Sequence, residues 1–354
     1  MNLDRKINVA PMMDWTDRHC RFFLRGFSSD ALLYTEMITS AAIVRGDARR
    51  LLAFDAEEHP VALQLGGSDP RELAAAARAG EAAGYDEVNL NCGCPSDRVA
   101  SGAFGACLMR EPARVADCVA AMRAAVSIPV TVKMRIGVVS GTRAQVRGAL
   151  AGFDESDYEA LHGFVSQVRE AGCEVAIVHA RKAVLGGLSP KDNRQVPPLR
   201  YDVVRRLKRD FADLPVIVNG GLRTAADVVE ALSWCDGVML GREAYHRPFV
   251  LSELRRMLGG TAASCETPSR EALLERMARY AERQLAQGDR LSVITRHLLG
   301  LYAGEPGARD YRRLLSEGAR AAGAGPELLR EAAAAASAAR EASRARGAAD
   351  GSCG

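Results

Sequence analysis

Short apolar runs rich in β-branched residues recur along most of the chain, and each is followed by a longer segment of helical period. These runs do not alternate between apolar and polar positions, which is typical of strands buried on both faces of a parallel sheet. The eight predicted strands are Ile7–Met12, Leu32–Met37, Val61–Leu65, Glu87–Asn91, Val130–Met134, Val175–His179, Val216–Asn219 and Gly237–Leu240. Eight such units predict an α/β fold of the (β/α)8 TIM-barrel type. An open doubly wound sheet is the alternative, but no Gly-x-Gly-x-x-Gly motif follows the first strand.

Beyond about Phe249 the pattern becomes entirely helical, which predicts a separate all-helical domain. The candidate helices are Ser252–Leu258, Arg270–Gln287, Ser292–Tyr302 and Tyr311–Ala321. We expect a barrel over residues 1–250, a helical domain over 251–325 and an Ala/Arg-rich tail over 326–354, either a solvated helix or disordered. Residues 138–155 show no clear period, which predicts a long loop after the fifth strand.

The charged residues are unevenly distributed along the chain. The 354 residues are 48% hydrophobic, enough for a large core, and the net charge of +3 excludes a surface that binds polyanions everywhere. Residues 179–210, however, carry nine Lys and Arg against three Asp, and residues 290–313 carry five Arg against two acidic residues. Two basic stretches predict contact with a long polyanion. Within the first, Lys182–Arg194 is the candidate contact loop, and Arg205–Arg209 is predicted to be a solvated helix face.

The nine cysteines are odd in number and irregularly spaced, which argues against a disulfide framework and favours a reducing, cytoplasmic compartment. No apolar run approaches the roughly 20 residues of a membrane helix, and no signal peptide is expected. A metal site is not expected, because Cys92 and Cys94 lack a second ligand pair at zinc spacing.

Several predicted strands end in polar or special residues. These are Glu36, Gln64, Asn91, Lys133, His179, Asn219 and the pair Gly241-Arg242. The carboxyl ends of barrel strands converge on one face, where the active sites of this fold lie. We therefore expect these residues to line a common site.

Cys94 follows the fourth predicted strand, between Gly93 and Pro95, so we expect its thiol to be presented rather than packed. A cysteine thiol is mainly protonated at neutral pH and can act as a general acid. A nucleophilic role would need a neighbouring His or Lys to favour the thiolate. Both roles, and a purely structural one, remain open at this point.

Glycine-rich turns follow the last two strands. Asn219-Gly220-Gly221 and Gly241-Arg242 stand where barrels commonly bind phosphate, although the glycines could simply make tight turns. Lys133 could hold a phosphate, a hydroxyl or an electron-rich ring, or form an ion pair. The amide of Gln64 suits the edge of a flat heterocycle.

Taken together, six stretches resemble the tRNA-dihydrouridine synthases. They are Ala10–Arg18, Leu90–Ser96, Val132–Arg135, His179–Ala183, Gly187–Arg194 and Arg296–Leu301. The last two resemble in particular the subfamily that acts on positions 20 and 20a of tRNA. The resemblance extends from about Val9 to about Leu315, leaving out the tail.

This resemblance implies a flavin enzyme in which NADPH reduces FMN, hydride passes from FMN to C6 of a tRNA uridine, and Cys94 protonates C5. The implied FMN contacts are Pro11, Met12, Met13, Gln64, Lys133, His179, Asn219, Gly220, Gly221, Gly241 and Arg242. The implied tRNA contacts, with the D-loop region, are Asn91, Lys191, Arg194, Arg309 and Arg312. No membrane or protein partner is implied. Two alternatives are an FMN barrel acting on a small pyrimidine-like substrate and a non-catalytic tRNA-binding module.

Overall fold

The computed structural model describes residues 3–96, 104–259 and 267–351, and its strands include the eight that the apolar runs predict together with three short ones that they do not. The strands are β1 (Ile7–Val9), β2 (Leu32–Tyr34), β3 (Ile38–Thr39), β4 (Val61–Gly66), β5 (Glu87–Cys92), β6 (Val130–Arg135), β7 (Val138–Ser140), β8 (Ala176–His179), β9 (Ala183–Leu185), β10 (Val216–Asn219) and β11 (Gly237–Leu240). All eight predicted strands are present among them.

Eight of these strands close into a parallel barrel. Neighbours pair in the order β2-β1-β11-β10-β8-β6-β5-β4, and a further pairing of β2 with β4 closes the ring. Each of these pairings is parallel. The TIM-barrel prediction is therefore confirmed, and the open doubly wound sheet is excluded.

The helices of the described chain follow the strands and then continue alone. They are α1 (Arg18–Arg25), α2 (Ser40–Arg45), α3 (Ala48–Leu51), α4 (Pro70–Ala83), α5 (Pro112–Ala125), α6 (Arg143–Ala151), α7 (Glu155–Glu170), α8 (Tyr201–Asp210), α9 (Ala225–Leu232), α10 (Arg242–His246), α11 (Phe249–Met257), α12 (Arg270–Ala286), α13 (Leu291–Thr295), α14 (Ala308–Gly318) and α15 (Glu327–Gly351). Sequence signals set their ends: α4 begins with Asp69 as N-cap and Pro70, and ends at Gly84 with φ +98°.

The described residues form two compact units. One lies within Met1–Arg18 and Asp30–Gly241, and the other within His19–Ser29 and Arg242–Gly354. This division differs from the expected single boundary at residue 250, because nearly all of α1 belongs to the helical unit. Phe22 on α1 stacks on Tyr280 of α12 with ring centroids 3.9 Å apart, and His19 Nδ1 lies 2.9 Å from the Tyr280 hydroxyl. Such long-range partners are invisible to local periodicity.

Residues 138–155 are not the loop that the sequence predicts. They contain β7 and α6, and β7 pairs in parallel with β9, Val138 opposite Ala183. Thr142 caps α6 in a capping box with Gln145. The prediction failed because a three-residue strand and a nine-residue helix are too short to show a period.

The Ala-rich tail is helical and has a buried face. Leu329, Ala332 and Ala336 of α15 are at most 1% exposed, and Arg330 forms an ion pair with Glu275 of α12. The expectation of a solvated or disordered tail is therefore wrong for this face. Small alanines at helical spacing allow it to pack closely on a neighbouring helix. Within the described ranges, no helix has the length and apolarity needed to cross a bilayer.

Candidate active site at the barrel mouth

Cys94 lies on the loop after β5, and hydrogen bonds hold the backbone of this loop on both sides. The Asn91 oxygen Oδ1 accepts from the N–H groups of Gly93 and Cys94, each at 3.0 Å. Arg135 Nε donates to the Gly93 carbonyl at 3.2 Å, and the Ala106 N–H donates to the Cys94 carbonyl at 2.9 Å. The backbone that carries the thiol is therefore fixed.

The two cysteines of the motif have different environments. The Cys94 residue is partly exposed, and its Sγ lies 3.6 Å from Ser96 Oγ. Cys92 is 0% exposed, and burial raises its thiol pKa well above the ordinary value. Among the described residues, no group of three or more His, Cys, Asp or Glu is placed to hold a metal ion. Of the two cysteines in this motif, Cys94 is therefore the accessible one.

Lys133 stands on β6, in register with Asn91 on β5. Its Nζ donates to Asn219 Oδ1 at 3.1 Å, while Asn219 Nδ2 donates to the Met239 carbonyl at 2.7 Å. Burial, followed by the charge of Arg135, lowers the pKa of Lys133 to about 7. The ammonium is held by an amide rather than by a carboxylate, so an anionic or electron-rich ligand would stabilise its charged form.

His179 ends β8 beside this cation. Burial, then the charges of Arg135 and Lys133, lower the pKa of His179 well below the ordinary value, so its ring is neutral at pH 7. A neutral imidazole offers one donor and one acceptor. A Lys133 amine that can become cationic near neutral pH, beside a neutral His179, suits a polar heterocycle or a phosphorylated ligand.

The turn after β10 requires its two glycines. Gly220 and Gly221 have φ of +107° and +77°, where side chains are strained. A Cβ at Gly220 would meet His179 Cδ2 at 2.6 Å, and one at Gly221 would meet Leu199 Cδ1 at 2.3 Å. The Tyr201 hydroxyl donates to the Gly220 carbonyl. Local packing therefore explains both glycines.

The other predicted flavin contacts are distributed over β4 and the first and last βα loops. Gln64 is 1% exposed, Met13 is 56% exposed, and Pro11 and Met12 are partly buried. Gly241 directly follows β11, and a Cβ there would lie 3.7 Å from Met12 Sδ. Arg242 begins α10.

The predicted tRNA contacts fall into an exposed and a buried group. Lys191 and Arg194 are exposed at the two ends of a short 3₁₀ turn, and Arg309 and Arg312 are exposed on α14. Asn91, in contrast, is 8% exposed and its amide is engaged in the Cys94 loop. The structure therefore gives Asn91 a positioning contact that the sequence did not predict.

Two residues that sequence reasoning missed hold these loops together. Asn193 is fully buried, with Nδ2 donating to the Val184 carbonyl at 3.0 Å and Oδ1 accepting from the Val184 N–H at 2.8 Å. Arg135 Nη1 donates to the Asn193 carbonyl at 3.0 Å, while its Nε reaches the Cys94 loop. Arg135 thus connects the loop of Cys94 to the loop of Lys191. Its position two residues after Lys133, on the same face of β6, was the available signal.

The basic loop also needs one correction. Lys182, expected among its polyanion contacts, is 6% exposed, and its Nζ lies 2.7 Å from Asp157 and 2.8 Å from the Ala149 carbonyl. It anchors the 138–155 segment instead. The interpretation of α8 as a solvated face is confirmed, because Arg205 pairs with Glu230 and Arg206 with Glu155.

The described residues form a closed (β/α)8 barrel. One mouth of this barrel brings together a partly exposed cysteine, a lysine of lowered pKa and a neutral histidine, which is typical of an enzyme of the TIM-barrel class. The sequence model described as dihydrouridine synthase matches residues 8–339. Proteins named tRNA-dihydrouridine(20/20a) synthase are similar to this chain. One from Xanthomonas campestris is 54% identical over 92% of each chain, and one from Pseudomonas aeruginosa is 56% identical over 89% of this chain and 90% of its own. A Vibrio cholerae protein of the same name is 50% identical over 93% of this chain and 96% of its own. The chain belongs to the dihydrouridine synthase family, whose members are flavin-dependent oxidoreductases.

Proposed function

We propose that this protein reduces uridine to 5,6-dihydrouridine at positions 20 and 20a in the D-loop of tRNA, with FMN as its flavin and NADPH as reductant. The observation that carries the proposal is the partly exposed Cys94, held on a fixed loop one strand away from Lys133. The names of the similar proteins support the tRNA substrate and its positions.

Residues at the mouth fit a flavin mononucleotide. Lys133 and His179 suit the polar edge of a ring, and the backbone N–H groups of the Gly220-Gly221 turn suit its phosphate. Arg242 is a proposed contact because the resemblance to the family implies it, and its guanidinium suits a phosphate. The Gln64 amide already bonds to Asn91 and Asn89, which leaves one N–H and one oxygen lone pair for the ring edge. Pro11–Met13 and Gly241 complete the proposed set. When bound, FMN would supply the hydride that uridine accepts at C6.

Cys94 completes the reaction by moving a proton. Hydride addition at C6 leaves negative charge delocalised over C5 and the C4 carbonyl oxygen, and the thiol donates its proton to C5. The C5–C6 double bond is thereby reduced, and the thiolate regains a proton from solvent, which its partial exposure permits.

Binding of tRNA requires that the target base leaves its stack, at a cost of a few kcal/mol. Exposed cations can compensate this cost by contacting phosphates of the tRNA backbone. Lys191 and Arg194 in the barrel unit and Arg309 and Arg312 on α14 are the proposed contacts, with Asn91 near the base.

The proposal is tested with purified protein and unmodified tRNA. We expect a visible flavin spectrum, NADPH oxidation that accelerates with tRNA, and dihydrouridine at positions 20 and 20a by mass spectrometry. NADH in place of NADPH is the matched control for the reductant. A protein that neither carries nor takes up FMN would contradict the proposal. Flavin turnover without dihydrouridine would instead favour a small pyrimidine-like substrate.

A further inference from the structure

A continuous column of buried polar side chains leads from the Cys94 loop into the barrel. It consists of Asn91, Gln64, Asn89, Thr131 and Glu87, and we call it the polar column. Four of its residues are at most 1% exposed, and Asn91 is 8% exposed. Glu87, Asn89 and Asn91 alternate along β5 and therefore face the same side of the strand. Gln64 on β4 and Thr131 on β6 both stand in register with Asn89.

Each member is hydrogen-bonded to the next. Asn91 Nδ2 donates to Gln64 Oε1 at 2.7 Å, and Gln64 Nε2 donates to Asn89 Oδ1 at 2.7 Å. Asn89 Nδ2 donates to Thr131 Oγ1 at 2.8 Å, and Thr131 Oγ1 donates to Glu87 Oε1 at 2.5 Å. The column is therefore unbroken from the loop to the carboxylate.

The two ends determine the direction of every bond between them. At the loop, the backbone N–H groups of Gly93 and Cys94 can only donate, so Asn91 must present its oxygen. At the other end, the Glu87 carboxylate forms an ion pair with Arg5 and accepts hydrogen bonds. Each amide in between has one orientation that satisfies both neighbours, whereas an inverted amide would set donor against donor.

We infer that Glu87, Thr131 and Asn89 are positioning residues for the reaction, because they fix the Asn91 amide and, through it, the backbone that carries Cys94. The inference rests on the proposed role of Cys94. It requires no contact between the three residues and any ligand. It also gives a reason for a buried carboxylate in the barrel, where burial of charge is costly unless it is paired and hydrogen-bonded.

A second hydroxyl supplies a matched control. The Tyr34 hydroxyl donates to the same Glu87 oxygen as Thr131, at 2.6 Å, and both residues are 0% exposed. Tyr34 is a side branch, however, because none of the bonds between Glu87 and the loop passes through it. Tyr34→Phe and Thr131→Val each remove one hydroxyl from Glu87, but only Thr131→Val breaks the column.

The test is amide hydrogen exchange, resolved to single residues, on full-length protein without added tRNA. We expect Thr131→Val to speed exchange at the Gly93 and Cys94 amides by about threefold to tenfold, the range for loss of one modest hydrogen bond. Tyr34→Phe should leave both exchange rates at their wild-type values. Thr131→Ser keeps the hydroxyl and should also show wild-type rates. The amides of Val216–Asn219 on β10 serve as the internal reference.

Asn89→Ala provides a second break in the column if Thr131→Val does not fold. Equal exchange at Gly93 and Cys94 in Thr131→Val, Asn89→Ala and Tyr34→Phe would overturn the inference, whether all three rates rise or none does. In tRNA reduction, the variants that break the column should lower kcat more than they raise KM. The exchange result does not depend on the chemistry of Cys94, so a failure of the proposed acid role is separately visible as full activity in Cys94→Ala.

Discussion

The two sides of the barrel interior are filled with different chemistry. Below the polar strand ends His179 and Asn219, β8, β10 and β11 contribute Ile177, Ile217 and Met239 to the interior, whereas β4, β5 and β6 contribute the polar column. The two isoleucines and Met239 belong to an apolar cluster with Ala10, Leu32, Tyr34, Ala62 and Val175. Tyr34 lies at the border, because its ring packs in the apolar cluster and its hydroxyl reaches Glu87.

The apolar cluster and the polar column therefore have different effects: the first stabilises the fold, and the second fixes the orientation of side chains at the site. Apolar burial stabilises the fold in proportion to area and has no preferred direction. Hydrogen bonds between buried amides add less net stability, but they permit only one arrangement. The polar side leads directly to the Cys94 loop, so we expect changes there to act on the site and changes in the apolar cluster to act on the fold.

The largest effect is expected at the end of the polar side. Cys94→Ala removes the proposed acid and should lower uridine reduction by about 100-fold to 10,000-fold, the usual contribution of general acid catalysis. Flavin content and reduction by NADPH should stay normal, because the thiol is not needed to bind the cofactor. Single-turnover formation of dihydrouridine measures the step, and wild-type turnover in this variant would refute the acid role.

A change in the apolar cluster should lower the stability of the fold and leave the Cys94 loop unchanged. Ile217→Ala leaves a cavity among the buried residues of the apolar cluster and should lower the free energy of unfolding by about 2–5 kcal/mol, measured by urea denaturation. At temperatures where the variant is folded, exchange at the Gly93 and Cys94 amides should match the wild type. Faster exchange at those amides alone would remove the distinction between the two sides.

The sequence predicts much of this arrangement because its signals are local. Eight apolar runs locate the eight barrel strands, and polar residues at their ends locate Lys133, His179 and Asn219 at the mouth. The position of Arg135 on the inward face of β6 was visible in the sequence, but its partners were not, because Gly93 and Asn193 lie in loops 42 and 58 residues away along the chain. Lys182 was misplaced for a related reason: its partner Asp157 lies in the first turn of a helix that follows a segment presented by the sequence as a loop.

A titratable lysine at the junction of the two sides gives a smaller, pH-dependent effect. The pKa of Lys133 is about 7 without ligand, so the amine is mostly neutral at pH 8. A bound flavin that favours the ammonium raises this pKa, so binding takes up a proton above pH 7 and affinity falls as pH rises. We expect FMN affinity to fall by up to about tenfold per pH unit above 7, the limit for one proton.

Flavin fluorescence titrations between pH 6.5 and 9 measure this dependence. In Lys133→Met the slope should disappear, while overall affinity is lower. Lys208→Met is the matched control, because Lys208 pairs with Asp236 at 2.9 Å and is not among the residues proposed to hold FMN. A slope that persists in Lys133→Met would assign the titration to another group.

The smallest effect is expected in the exposed loop that Arg135 connects to the Cys94 loop. Each lysine or arginine that contacts a phosphate contributes about one unit to the slope of log affinity against log salt. The double variant Lys191→Ala, Arg194→Ala should therefore bind tRNA more weakly and lower the slope by about 1–2, without loss of flavin. Arg209→Ala removes another exposed charge, from α8, and should leave the slope unchanged. If both variants shift the slope equally, the contribution is general surface charge, and the Lys191 loop has no specific place in tRNA binding.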